Sequence, residues 1–120
     1  MKNIPLVIAA TFFVAMGIYA LLAPKALVRP FGITIDTPEA RSEIRAAYGG
    51  FGLAVTTALI VAALNVGGLR TGMVMAVAAA LAGMALGRLL SRLTDQPTPF
   101  YPIWFYSCVE AAGATLLAAP

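Results

Sequence analysis

The sequence contains no histidine, a single cysteine and few charges, which make up only 11% of its 120 residues. Without histidine, the commonest general base, the usual haem ligand and most transition-metal sites are excluded. Any chemistry has to come from carboxylates, arginine or tyrosine, and no metal or cofactor site is read from the pattern. The lone Cys108 permits no intrachain disulfide and no Cys-x-x-Cys pair. Set in an apolar run, it is read as a buried, inert thiol. Eight Lys and Arg stand against five Asp and Glu, for a net charge of +3. That excess is spread over short connecting segments and helix ends, with no basic patch, which argues against nucleic-acid binding.

What the chain has in abundance is hydrocarbon. Apolar residues form 61% of it and the mean hydropathy is +0.90, far outside the range of soluble domains. The pattern predicts one all-α domain spanning residues 1–120, an up-and-down bundle of four transmembrane helices over approximately 4–23, 38–64, 69–95 and 101–119. The first uncharged run, Ile4 to Ala23, covers a hydrocarbon core of roughly 30 Å. With Lys2 before it and small residues at its end it also mimics a cleavable signal peptide; the reading taken is a retained span.

Pro24 to Thr37 mixes Leu27, Val28, Phe31, Ile33 and Ile35 with Lys25 and Arg29, which suits a segment lying in the headgroup layer. Thr37-Pro38-Glu39 reads as a helix start, with Thr37 as cap, Pro38 in the first helical position and Glu39 at the positive end of the dipole. Asn65-Val66-Gly67-Gly68 and Gln96-Pro97-Thr98-Pro99 break the chain. Short connections of this kind make neighbouring helices antiparallel. Lys25, Arg29, Arg41, Arg45, Arg88 and Arg92 fall on one side and Lys2 and Arg70 on the other, so the positive-inside rule places both termini outside the cytoplasm. Tyr101 and Trp104 read as interface anchors, and the methionines as core filler.

Alternate loops of such a bundle share a membrane face, and every notable charge collects there. Glu110 is the one charge of the fourth span, roughly 10 Å below the interface, and Arg88 lies at comparable depth. An unpaired charge at that depth costs on the order of 2.5–3.5 kcal/mol, so an Arg88–Glu110 ion pair is predicted. Arg45 is long enough to join it from above, with Glu43 or Asp95 balancing the second positive charge. Tyr48 and Ser91 complete the expected buried polar cluster. Gly49 and Gly52 in the second helix, Gly83 and Gly87 in the third and Gly113 in the fourth are the expected helix-packing positions, small residues at spacings that let backbones approach. Such a network also serves simply to set helix register.

The segments Glu43-Ile44-Arg45-x-x-Tyr48-Gly49-Gly50 and Gly87-Arg88-Leu89-x-Ser91, with Thr37-Pro38, Asp95 and Glu110, resemble the bacterial membrane family called domain of unknown function 4345 across nearly the whole chain. The resemblance implies a small four-helix protein of the inner membrane. That family often has glycine after the position of Asp95, where this chain has Gln96. More distantly, the architecture is similar to DoxX-like four-helix proteins. The favoured function is a non-enzymatic binding or accessory protein, in which the charged cluster beneath apolar walls holds a hydrophobic small molecule or docks a membrane-protein partner within the lipid bilayer. The alternatives are a membrane enzyme of isomerase type, with Glu110 as acid or base and Tyr48 or Arg88 stabilising charge, and a proton-coupled small transporter.

Overall fold

The computed structural model describes residues 2–119, and among them every regular element is helical. Six α-helices follow one another: α1 (Ile4–Leu22), α2 (Pro24–Val28), α3 (Pro38–Ile44), α4 (Phe51–Ala63), α5 (Arg70–Thr94) and α6 (Phe105–Ala118). A wide turn over Arg45–Gly50 joins α3 to α4, so that Pro38–Ala63 forms one rod. Three helices, Ile4–Leu22, Pro38–Ala63 and Arg70–Thr94, are long and apolar enough to cross a membrane, with mean hydropathies of 2.2, 1.7 and 1.9. Their outward faces carry large apolar side chains such as Leu22, Ile60, Leu90 and Leu93, a surface poorly matched to water. Both observations point to a membrane protein.

Local chemistry accounts for the boundaries. Thr37 has extended backbone angles and its hydroxyl accepts from the Ala40 N–H at 3.1 Å, with Pro38 next in the chain, so α3 starts where the Thr-Pro-Glu order predicts. The turn after α4 relies on left-handed backbone at Asn65, Gly67 and Gly68, which the two glycines adopt without steric cost. The Asn65 side chain then accepts from the Arg70 N–H at 3.2 Å. The last helix begins later than the sequence predicts. Tyr101 holds an extended ψ of 133° ahead of Pro102, as residues preceding proline tend to do, and the regular helix is delayed to Phe105.

The helices pair as α1 with α4 and α5 with α6, and the pairs meet through α4 and α5 and through α1 and α6. The thin dimension of 18 Å is about two helix diameters, which makes two layers. Gly17, Gly49 and Gly52 bring the first pair into backbone contact. A Cβ at Gly52 would lie 2.9 Å from the Phe13 carbonyl oxygen, and one at Gly17 would lie 3.0 Å from that of Gly49. In the second pair, Gly113 seats the Leu81 side chain, 3.1 Å from where its Cβ would be.

The two ends of this arrangement differ. At the end nearer Asn3 and Asn65, Leu6, Phe13, Leu59, Ala62, Val77 and Leu117 form a continuous apolar core, with open clefts at its rim beside Arg70. Arg70 ties that end together, donating from Nη1 to Asn3 Oδ1 at 2.6 Å and from Nη2 to the Lys2 carbonyl at 2.9 Å. The other end, bounded by α2, the wide turn and the C-terminal half of α5, is hollow.

The segment after α1 helps to enclose that hollow and does not simply lie along a surface. Pro24, Val28 and Ile35 are buried and Phe31 is half-buried. Leu27, Val28 and Phe31 recur at helical spacing and turn one apolar face inward.

Candidate functional site: a buried ion pair beneath an aromatic cavity

Arg88 and Glu110 each extend the buried stripe of their own helix. On α5 the stripe runs Val74, Val77, Ala78, Leu81 and then Arg88; on α6 it runs Leu117, Gly113 and Glu110. Long side chains on a helix lean toward its N-terminus. In an antiparallel pair the Arg88 and Glu110 side chains therefore lean toward each other along the axis. They meet as a two-pronged pair: Arg88 Nε donates to Glu110 Oε1 at 2.8 Å and Nη2 donates to Oε2 at 3.0 Å. Glu110 is 1% exposed, and among the described residues no buried side-chain nitrogen or oxygen lacks a partner.

The pair forms one wall of a cavity of about 230 Å³. Phe12 and Met16 of α1, Val28 of α2, Phe31, Tyr48, Met84 and Tyr106 supply the rest of its main surface. Phe31 and Tyr106 stack with their centroids 5.6 Å apart, and the Arg88 guanidinium carbon lies 5.6 Å and 5.8 Å from their ring centres. That geometry places the cation against two aromatic faces as well as a carboxylate. A second hollow, of about 420 Å³ and lined by Ser91, Arg92, Asp95, Gln96 and Trp104, shares Tyr48, Met84 and Arg88 with the first. Arg88 thus stands between an apolar chamber and a polar vestibule.

Of the seven residues expected in one buried polar cluster, the structure brings three together: Arg88, Glu110 and the half-buried Tyr48. Glu43, Arg45, Ser91 and Asp95 are exposed. Ser91 and Asp95 line only the outer vestibule. Arg45 instead donates from Nε to the Leu21 carbonyl at 3.1 Å, capping an oxygen left without an intrahelical partner at the end of α1. Arg45 shares with Gly49 the face turned to α1, where both meet Leu21, so its head group ends on α1 and not on the pair between α5 and α6.

The packing glycines divide in the same way. Gly49, Gly52 and Gly113 sit at helix contacts, whereas a Cβ on Gly83 or Gly87 would meet nothing within 4 Å. Gly83 lies roughly 140–200° around the helix from Ala78 and Leu81, the face that is buried. Cys108 is likewise exposed rather than buried, because it lies two residues before Glu110 and so on the far side of α6.

Several residues the site depends on are not evident from charge pattern alone. Phe12, Val28 and Phe31 are ordinary apolar residues, and Gly17 sits in a run whose small residues look unremarkable. A signal for Phe31 did exist in the spacing of Leu27, Val28 and Phe31.

A model of the family described as Domain of unknown function (DUF4345) matches residues 1–119. The chain belongs to that family. No curated protein and no solved structure matches it. In this family member the two motif segments, Glu43 to Gly50 and Gly87 to Ser91, both border the hollow end: Tyr48 and Arg88 line the cavity, and Gly49 lets α1 approach.

Proposed function

We propose that the protein is a four-pass, non-enzymatic membrane protein that holds a hydrophobic small molecule in the cavity beside Arg88 and Glu110. The observation that carries this reading is an aromatic chamber ending on a neutralised, hydrogen-bonding ion pair, the combination of apolar walls and a few fixed polar groups that ligand sites use. An acid–base role for Glu110 is less well supported. Both its oxygens already accept from Arg88, and among the described residues no second carboxylate lines the chamber.

The direct test is mass spectrometry of small molecules extracted from purified protein. Wild type is expected to carry a species enriched over bulk lipid. Arg88→Met/Glu110→Met, which keeps volume while removing both charges, is expected to lose that species. A wild-type preparation carrying nothing beyond bulk lipid overturns the proposal.

We place α6 in the bilayer as the fourth crossing, in the inner membrane, with both termini outside the cytoplasm. Its 14 residues cover about 21 Å, and the turn over Phe100–Trp104 extends the segment toward the interface. Cys108 provides the check. With α6 in lipid, the thiol has no water in which to ionise, and a charged, water-soluble maleimide labels it only after the membranes are dissolved in denaturing detergent. Rapid labelling by the charged reagent in open membrane sheets removes α6 from the bilayer.

A further inference from the structure

The binding reading leaves the chemistry of the ligand open, and the charge balance of the chamber narrows it. We propose that the cavity selects a neutral, carbonyl-bearing aromatic amphiphile over a fatty-acid anion. The inference rests on the binding function above and specifies its ligand class.

Arg88 is the only cation and Glu110 the only anion among the lining residues, and they neutralise each other at 2.8 Å. A carboxylate head entering the chamber would bring an uncompensated charge between apolar walls, which is costly. The guanidinium nevertheless has donors to spare. Glu110 takes the Nε–H and one Nη2–H, and among the described residues no acceptor lies within hydrogen-bonding distance of Nη1. Arginine has five N–H groups, so three remain for a neutral oxygen. A carbonyl meets that need without adding charge.

The walls and the volume restrict the rest of the molecule. Phe31 and Tyr106 already flank the guanidinium, and a flat ring adds to such an aromatic array by offset or edge contacts. At about 230 Å³ the chamber is smaller than the roughly 300–1,000 Å³ of ordinary ligand pockets. It suits one ring and its carbonyl and is too small for a two-chain lipid. An attached chain leaves past Ala15 and Tyr19, the exposed residues on its rim.

Three probes with the same ring and chain isolate the head group: 4-decylacetophenone, decylbenzene and 4-decylbenzoate. Their binding to the full chain in nanodiscs is measured against protein-free nanodiscs to subtract partitioning. Wild type is expected to bind the ketone about tenfold or more tighter than either of the others, the size of one hydrogen bond from a charged donor. In Arg88→Met/Glu110→Met the ketone and the hydrocarbon are expected to bind alike. Because the comparison among probes is made in wild type, it stands even if the double variant fails to fold.

Equal wild-type affinity for ketone and hydrocarbon overturns recognition of the head group by Arg88 and leaves the binding function intact. Tighter binding of the benzoate overturns the neutrality argument. If no probe binds while a copurified species is found, the ligand class is wrong. If no probe binds and no species copurifies, the binding function itself fails.

Discussion

Arg88→Ala is expected to destabilise the protein by about 3–5 kcal/mol, the usual consequence of leaving one member of a buried ion pair without its partner. Glu110→Ala is expected to cost less. The asymmetry follows from exposure: the side chains of Arg88 and Glu110 are 21% and 2% exposed. A stranded Arg88 keeps the vestibule and two aromatic faces, whereas a stranded Glu110 keeps neither solvent nor a donor. Arg88→Met/Glu110→Met removes both charges and is expected to lie near wild type, since apolar replacements of similar volume are often neutral or stabilising. Thermal unfolding in one detergent of wild type, Arg88→Met, Glu110→Met and Arg88→Met/Glu110→Met forms a double-mutant cycle. Strictly additive losses would show that the two head groups are not coupled.

The second large effect is expected at Gly52. A Leu side chain there has to displace the Phe13 backbone, because even a Cβ would lie 2.9 Å from its carbonyl oxygen. A core swap of this kind costs about 1–3 kcal/mol when side chains can yield. Here the obstacle is main chain on both sides, and Gly52→Leu is expected to reach or exceed the top of that range. Gly83→Leu is the matched control on α5. Its Cβ enters open space, and removing a helix-interior glycine is expected to be neutral or to stabilise by up to about 1 kcal/mol. The comparison is read from melting temperatures of the two variants in the same detergent. Equal loss at the two positions would mean that the α1–α4 contact is not the close one.

The Arg88–Glu110 pair was legible before any coordinates because burial energetics leave an arginine and a glutamate in apolar surroundings few alternatives to each other. Arg45 shows the limit of the same reasoning. Its spacing from Gly49 does place it on the face turned to α1, but spacing alone does not tell that a backbone carbonyl at the end of that helix, and not the ion pair, takes its head group. Gly83 and Gly87 show another limit. The spacing of small residues reveals that close approach is permitted, not which neighbour, if any, makes it.

What the sequence determined by itself was the solvent and the strongest pairings. Long uncharged runs make helices long and apolar enough to cross a membrane, since hydrocarbon cannot solvate bare backbone, and the Thr37-Pro38-Glu39 order sets a helix start by local hydrogen bonding alone. Only the tertiary structure decided what stands over the ion pair. Phe12 of α1, Val28 and Phe31 of the connecting segment and Tyr106 of α6 are distant along the chain, and apolar packing carries no directional signal that would foretell their meeting. Their convergence turns a charge pair that could merely align two helices into one wall of a chamber.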